Sequence, residues 1–126
     1  MRYLLIGLVV IFMLSGCEDK PTKADVASKS EVLAKIGSEP MVLEIGASSC
    51  TACIDMKKKI DALKSQNTEL PIYIVDVYEN KKVVDMFKIQ MIPTQVVLNS
   101  KGKEVHRNVG GVSSEKLLEF VDMAKE

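Results

Sequence analysis

Two cysteines three positions apart, Cys50 and Cys53, are the residues of this sequence best suited to covalent chemistry. The tetrapeptide Cys50-Thr51-Ala52-Cys53 follows an apolar run at 41–45 and opens an amphipathic stretch at 50–65. The run reads as a buried strand and the stretch as a helix. A cysteine at a helix start faces unpaired backbone N–H groups and the positive end of the helix dipole, and both favour thiolate over thiol. A free thiol titrates at about 8.5, and such positions bring it to about 7 or below. The thiolate is the attacking form in thiol–disulfide exchange. The pattern therefore predicts Cys50 as the nucleophile. Cys53, one turn on and more buried, is predicted to resolve the mixed disulfide by attacking the Cys50 sulfur. A bare Cys-x-x-Cys pair says little, so the strand-to-helix context carries the weight.

The elements that would hold this pair follow from the pattern along the chain. Ser28 and Glu31 fit a capping box, Val32, Leu33 and Ile36 follow at helical spacing, and Gly37 can close that helix. In the helix at 50–65, Ile54, Ile60 and Leu63 are expected inward, with Lys57, Lys58, Lys59, Asp61 and Lys64 largely outward. Residues 71–77 form a second buried strand. Strand, crossover helix, strand implies parallel pairing with a right-handed crossover. A short helix at 79–87, a strand at 94–98, a turn at Lys101-Gly102 and a hairpin partner at 104–109 come next. Ser113 or Ser114 then caps a last helix with Leu117, Leu118 and Val121 inward. The order α-β-α-β-α-β-β-α predicts an α/β fold with a central mixed sheet of about four strands flanked by helices. Met56, Met86 and Met91 are read as packing, because Met fills core gaps.

Composition bounds the rest. The chain has 126 residues, 17 Lys+Arg against 17 Asp+Glu, one His and three Cys. That length suits one domain. A net charge near zero argues against nucleic acid as a partner, since the phosphate backbone calls for a clustered cationic excess. The 47% hydrophobic content excludes a wholly disordered chain. Part of it lies at one end, where twelve of the first sixteen residues are apolar. Met1-Arg2-Tyr3 gives a cationic start, and the apolar run at 4–14 is too short to span a hydrocarbon core, which takes about 20 residues. It reads as a secretory signal.

The signal ends in Leu14-Ser15-Gly16-Cys17, which resembles the bacterial lipobox. The resemblance implies that Cys17 receives a lipid and becomes the new N-terminus. Residues 1–16 are then a lipoprotein signal peptide, 17–28 the lipidated Cys and a polar tether, and 29–126 the folded domain. Two or more acyl chains hold a small domain on a membrane almost permanently. The eleven residues at 18–28 reach at most about 35–40 Å. The expected location is the bacterial cell envelope, with the domain lipid-anchored in the periplasm or another extracytoplasmic space. Disulfides persist there unless something reduces them.

From about residue 29 to the end, the chain resembles the thioredoxin family. The strand-to-helix Cys pair is one match. Ile92-Pro93-Thr94 is a second, with Pro93 forty residues after Cys53, where the family places a cis-proline loop. Val109-Gly110-Gly111 before the last helix resembles the family's closing turn. Glu44, six residues before Cys50, falls where the family keeps a buried carboxylate. The resemblance implies a thioredoxin-like fold and a protein-disulfide oxidoreductase. The backbone of Ile92, beside a cis Pro93, would pair with the substrate strand. By itself Pro93 would read as an ordinary trans proline opening an edge strand. Glu44 is either a solvent-facing residue on a strand edge or a buried carboxyl with a raised pKa that moves protons to and from Cys53. Two departures stand out. Residues 71–77 lack the Lys that the family often sets near this carboxylate, and Ser48-Ser49 replaces a common Trp.

Dedicated disulfide oxidases of this superfamily usually carry a helical insertion before the cis-proline, and forty residues leave no room for one. With Ile92 and Glu44, this favours a reductase of disulfide-containing proteins, recharged by a membrane thiol–disulfide electron donor. No cofactor or metal is expected, and the domain is expected to be a monomer. A copper-handling lipoprotein, a disulfide isomerase or oxidase, and a redox-inactive binding module are the alternatives. Soft thiolates suit Cu(I). His106 with the Cys pair makes a poor zinc set, and Lys57-Lys58-Lys59 reads as a solvated helix face.

Overall fold

The structure is a computed structural model and describes residues 29–126. The expected signal peptide, the expected lipid-bearing Cys17, the expected tether and Ser28 of the expected capping box lie outside the described residues. Eight elements follow in the expected order: α1 (Lys29–Lys35), β1 (Met41–Gly46), α2 (Thr51–Gln66), β2 (Ile72–Asp76), α3 (Lys81–Met86), β3 (Thr94–Leu98), β4 (Glu104–Val109) and α4 (Ser114–Ala124). The sheet runs β2-β1-β3-β4. β1 and β2 are parallel, while β3 is antiparallel to β1 and β4.

β1 is buried along its whole length because both sheet faces are covered. On one face Met41, Leu43, Ile45, Val96 and Leu98 pack with Val32 of α1 and Val83 of α3. On the other, Val42 and Val97 pack with Met56 and Ile60 of α2 and Leu117, Phe120 and Val121 of α4. Each such side chain stabilises the fold by about 1.5–3 kcal/mol when fully buried. Gly37 ends α1 in the left-handed region, with φ +87°. Ser113 caps α4, its hydroxyl accepting from the Lys116 amide. Between Val97 and Leu98 the β3–β4 register shifts by one residue, so that Val105 bulges out of β4.

Four expected core residues are instead exposed. Ile54 is 42% accessible, at the outer side of the first turn of α2. On α4 the inward stripe is Leu117, Phe120, Val121 and Ala124, which leaves Leu118 on the flank. Met86 ends α3 and Met91 lies in the loop before β3, and neither is covered. Met56 is fully buried as expected. Among the described residues no helix is long and apolar enough to cross a membrane.

Candidate active site

The site forms where β1 runs out. Gly46 is the last strand residue, and a Cβ built on it would stand 2.8 Å from Cys53 Sγ and 2.9 Å from Cys53 Cβ. Only glycine lets the strand end lie this close to α2. The chain then turns through Ala47, whose carbonyl accepts from the Cys50 amide at 3.1 Å. Cys50 is the N-cap of α2, with extended φ −96° and ψ 117°. Its sulfur accepts the otherwise unpaired amide of Cys53 at 3.3 Å. Oxygen usually fills this capping role, so a donor and the helix dipole both point at the sulfur.

Cys50 and Cys53 are joined as a disulfide, with Cα atoms 5.2 Å apart. Cys50 is half-buried, whereas Cys53 is 7% accessible. An incoming thiol therefore reaches Cys50 first.

Ile92-Pro93 is a cis peptide. Thr94 starts β3 opposite Ile45, so this loop flanks the cysteine turn at the same end of the sheet. The Thr94 hydroxyl donates to the Met91 carbonyl at 2.6 Å, and the Gly110 amide donates to the Pro93 carbonyl at 2.8 Å. Ile92 is half-buried, Val109 is exposed and Met91 is 65% accessible. With Ile54 and the exposed Ser48-Ser49, these residues make the rim of the site partly apolar.

Glu44 lies behind the disulfide, 2% accessible, not on a solvent-facing edge. Strands β2 and β3 flank it, with Ile74 and Gln95 its register partners. Glu44, Gly46 and Cys53 line one pocket of about 130 Å³, together with Lys57 of α2 and Asp76 of β2. Burial pushes the Glu44 carboxyl up from 4.5 to about 7, against the Gln95 hydrogen bond and the Lys59 charge, which both act to lower it. A carboxyl that titrates at about 7 can both accept and return a proton near neutrality.

The cation missing from β2 is approached from α2 instead. The Lys57-Lys58-Lys59 run is accordingly not a uniformly solvated face: Lys58 is exposed, but Lys57 and Lys59 are half-buried. Lys57 pairs with Asp61 at 2.6 Å, and Lys59 donates to the Val112 carbonyl at 2.9 Å. His106 stacks on Phe120, with ring centroids 4.9 Å apart. Among the described residues no group of three or more His, Cys, Asp or Glu is arranged to hold a metal ion.

Sequence reasoning missed Gln95 and Asn108. Gln95 is fully buried and donates from Nε2 to Glu44 Oε2 at 2.8 Å. Asn108 donates from Nδ2 to Gln95 Oε1 at 2.6 Å. The available signal was a Gln inside the buried run Thr94-Gln95-Val96-Val97-Leu98.

A buried cysteine, a half-exposed partner that caps the helix and a carboxyl behind them define a dithiol–disulfide exchange centre on an α/β fold. The sequence model of the family described as Thioredoxin matches residues 22–123. A thioredoxin from Fasciola hepatica is similar in structure at 26% identity and TM-score 0.65, covering 79% of this chain and 97% of that one. A mutant thioredoxin from Halobacterium salinarum is similar at 20% identity and TM-score 0.66, covering 80% and 88%. One from Malassezia sympodialis is similar at 18% identity and TM-score 0.64, covering 79% and 89%. No curated protein matches the sequence. The chain belongs to the thioredoxin family. It is a thiol–disulfide oxidoreductase, and its family suggests disulfide-containing proteins as substrates.

Proposed function

We propose that this oxidoreductase is a reductase of protein disulfides, tethered by a lipid on Cys17 and working outside the cytoplasm. In this reading the Cys50 thiolate attacks one sulfur of a substrate disulfide and expels the other as a thiolate. Cys53 then gives up its proton and attacks Cys50 Sγ. The second substrate thiolate leaves and the Cys50–Cys53 disulfide forms. Glu44 takes the proton from Cys53 and supplies it again when a membrane dithiol donor reduces the pair. Ile92, at the cis Pro93, presents its backbone to the substrate strand. The observation that carries the reading is the asymmetry of the pair, a half-exposed Cys50 that caps α2 in front of a buried Cys53 that shares its pocket with Glu44. The short stretch from Cys53 to Pro93, which holds the rest of α2, β2 and α3 but no inserted helical domain, supports the reducing direction. The apolar run ending in Leu14-Ser15-Gly16-Cys17 supports the tether.

Equilibration of the Cys50/Cys53 couple with glutathione tests the direction. A potential below about −220 mV fits a reductase, and one near about −120 mV, typical of a dedicated oxidant, overturns it. Fatty-acid labelling of the full chain in a bacterial host tests the tether. Label should be incorporated and be lost in Cys17→Ala, and an unlabelled chain would refute the anchor.

A further inference from the structure

Glu44, Gln95 and Asn108 stand abreast across three strands. Glu44 of β1 is in register with Gln95 of β3, and Gln95 with Asn108 of β4. Their side chains make a continuous hydrogen-bonded row from the buried carboxyl to the edge of the sheet. The row ends on the main chain, where Asn108 Nδ2 also donates to the Gly110 carbonyl at 3.2 Å.

That last contact sets the direction of all the others. A carbonyl oxygen can only accept, so the Asn108 amide must turn its NH₂ toward Gly110. The same NH₂ reaches Gln95, which must answer with its oxygen. The Gln95 NH₂ is then forced toward Glu44. Flipping Gln95 would set NH₂ against NH₂ and oxygen against carboxylate. The row thus delivers a fixed donor to Glu44 Oε2, while Oε1 has no hydrogen-bond partner among the described residues. An apolar residue at position 95 would suit its buried neighbours Val96 and Val97, so packing alone does not account for an amide there.

We propose that Gln95, oriented by Asn108, is a positioning residue that holds the Glu44 carboxyl through Oε2 and leaves Oε1 as the oxygen that takes and returns the proton. This rests on the reading of Glu44 as the proton carrier for Cys53. The donor favours the ionised carboxyl and so opposes burial, which by itself would carry the carboxyl further from neutrality. Other charged or titratable groups lie around the same carboxyl. Lys59 of α2 acts on it through its charge, while Cys53 and Lys57 of α2 and Asp76 of β2 line the same pocket. Lys57 is paired with Asp61, and Lys59 lies within 3.8 Å of Asp55. On β4, His106 shares the face of Asn108 but stacks on Phe120 of α4. Among these, the Gln95 amide alone donates a hydrogen bond to the carboxyl.

The test is a side-chain ¹³C-carboxyl NMR titration of Glu44 in the oxidised full chain, where neither cysteine titrates. Gln95→Leu should raise the Glu44 midpoint by about one pH unit, a tenfold gain in proton affinity. Asn108→Ala should raise it by a smaller amount, because Gln95 is then free to turn. Asn108 lies at the sheet edge, so this second variant reads out even if Gln95→Leu folds poorly. Midpoints unmoved in both variants overturn the proposal. A shift in Gln95→Leu without one in Asn108→Ala removes Asn108 from it. The pH profile of disulfide exchange, measured on the same proteins, separates this proposal from the reading beneath it. If the Glu44 midpoint moves and the rate profile does not, the positioning role stands and the proton-carrier role of Glu44 falls.

Discussion

Replacing Glu44 by Gln should change how stability depends on pH, and the size of the change follows from burial. The carboxyl titrates at 4.5 when unperturbed and at about 7 in the fold. Its folded value is raised, so the folded chain binds more protons than the unfolded one between those limits. The protonated form contributes stability that is complete below 4.5 and is lost as pH rises through about 7. Each pH unit between the two is worth about 1.4 kcal/mol, so the group should account for about 3 kcal/mol in all. An amide in its place has nothing to ionise. It also leaves N–H groups unpaired beside Gln95, an offset of about 1–3 kcal/mol that does not vary with pH. The assay is urea unfolding of the oxidised wild type and Glu44→Gln between about pH 5 and about 8.5, taking the difference in unfolding free energy at each pH. Groups common to both proteins cancel in that difference. The wild type's advantage should shrink by about 2.5 kcal/mol across the range, since part of the effect is already lost at the lower end. Parallel curves would show that Glu44 titrates as an ordinary carboxylate, and the proton-transfer argument would lose its physical basis.

Three other perturbations probe the same site and its support. Cys50→Ser should abolish disulfide reduction while Cys53→Ser accumulates mixed disulfides with substrate, seen on non-reducing gels; equal, mild losses in both would reverse the assigned order of attack. Gly46→Ala should destabilise the oxidised protein by about 1–3 kcal/mol in urea unfolding, because the added methyl meets the Cys53 side chain; an unchanged midpoint would mean that α2 can slide away at no cost. Met56→Ala should cost about 2–5 kcal/mol in the same assay, since its side chain is fully buried and its sulfur accepts the Val112 amide.

Much of the fold was legible because each element carries its own period. The boundaries of β3 and β4 coincide with the runs read from sequence, and α2 differs only at its ends. The Cys pair, the proline loop and Glu44 were legible because spacing along the chain carries them. The failures share one cause. Periodicity tells which side chains lie on one stripe, not whether another element covers that stripe. Ile54 and Leu118 sit at the edge of theirs, and Met86 and Met91 lie where neither sheet nor helix reaches over. Gln95 and Asn108 were opaque for a different reason. A polar residue in an apolar strand gains meaning only from what stands beside it, and register across three strands is a property of the assembled sheet. Likewise the half-burial of Lys59 depends on Val112, fifty-three residues away.

The bulge at Val105 separates the two ends of the hairpin. Asn108 faces Gln95 on the site side of that irregularity, and the connection at 99–103 lies beyond it. The extra residue absorbs a mismatch before it can travel toward the sulfur chemistry. An insertion at 100–102 would therefore be felt first where Gly102 packs against Ile36 and Gly37, whereas adding one residue between Val105 and Asn108 would turn the amide to the opposite face.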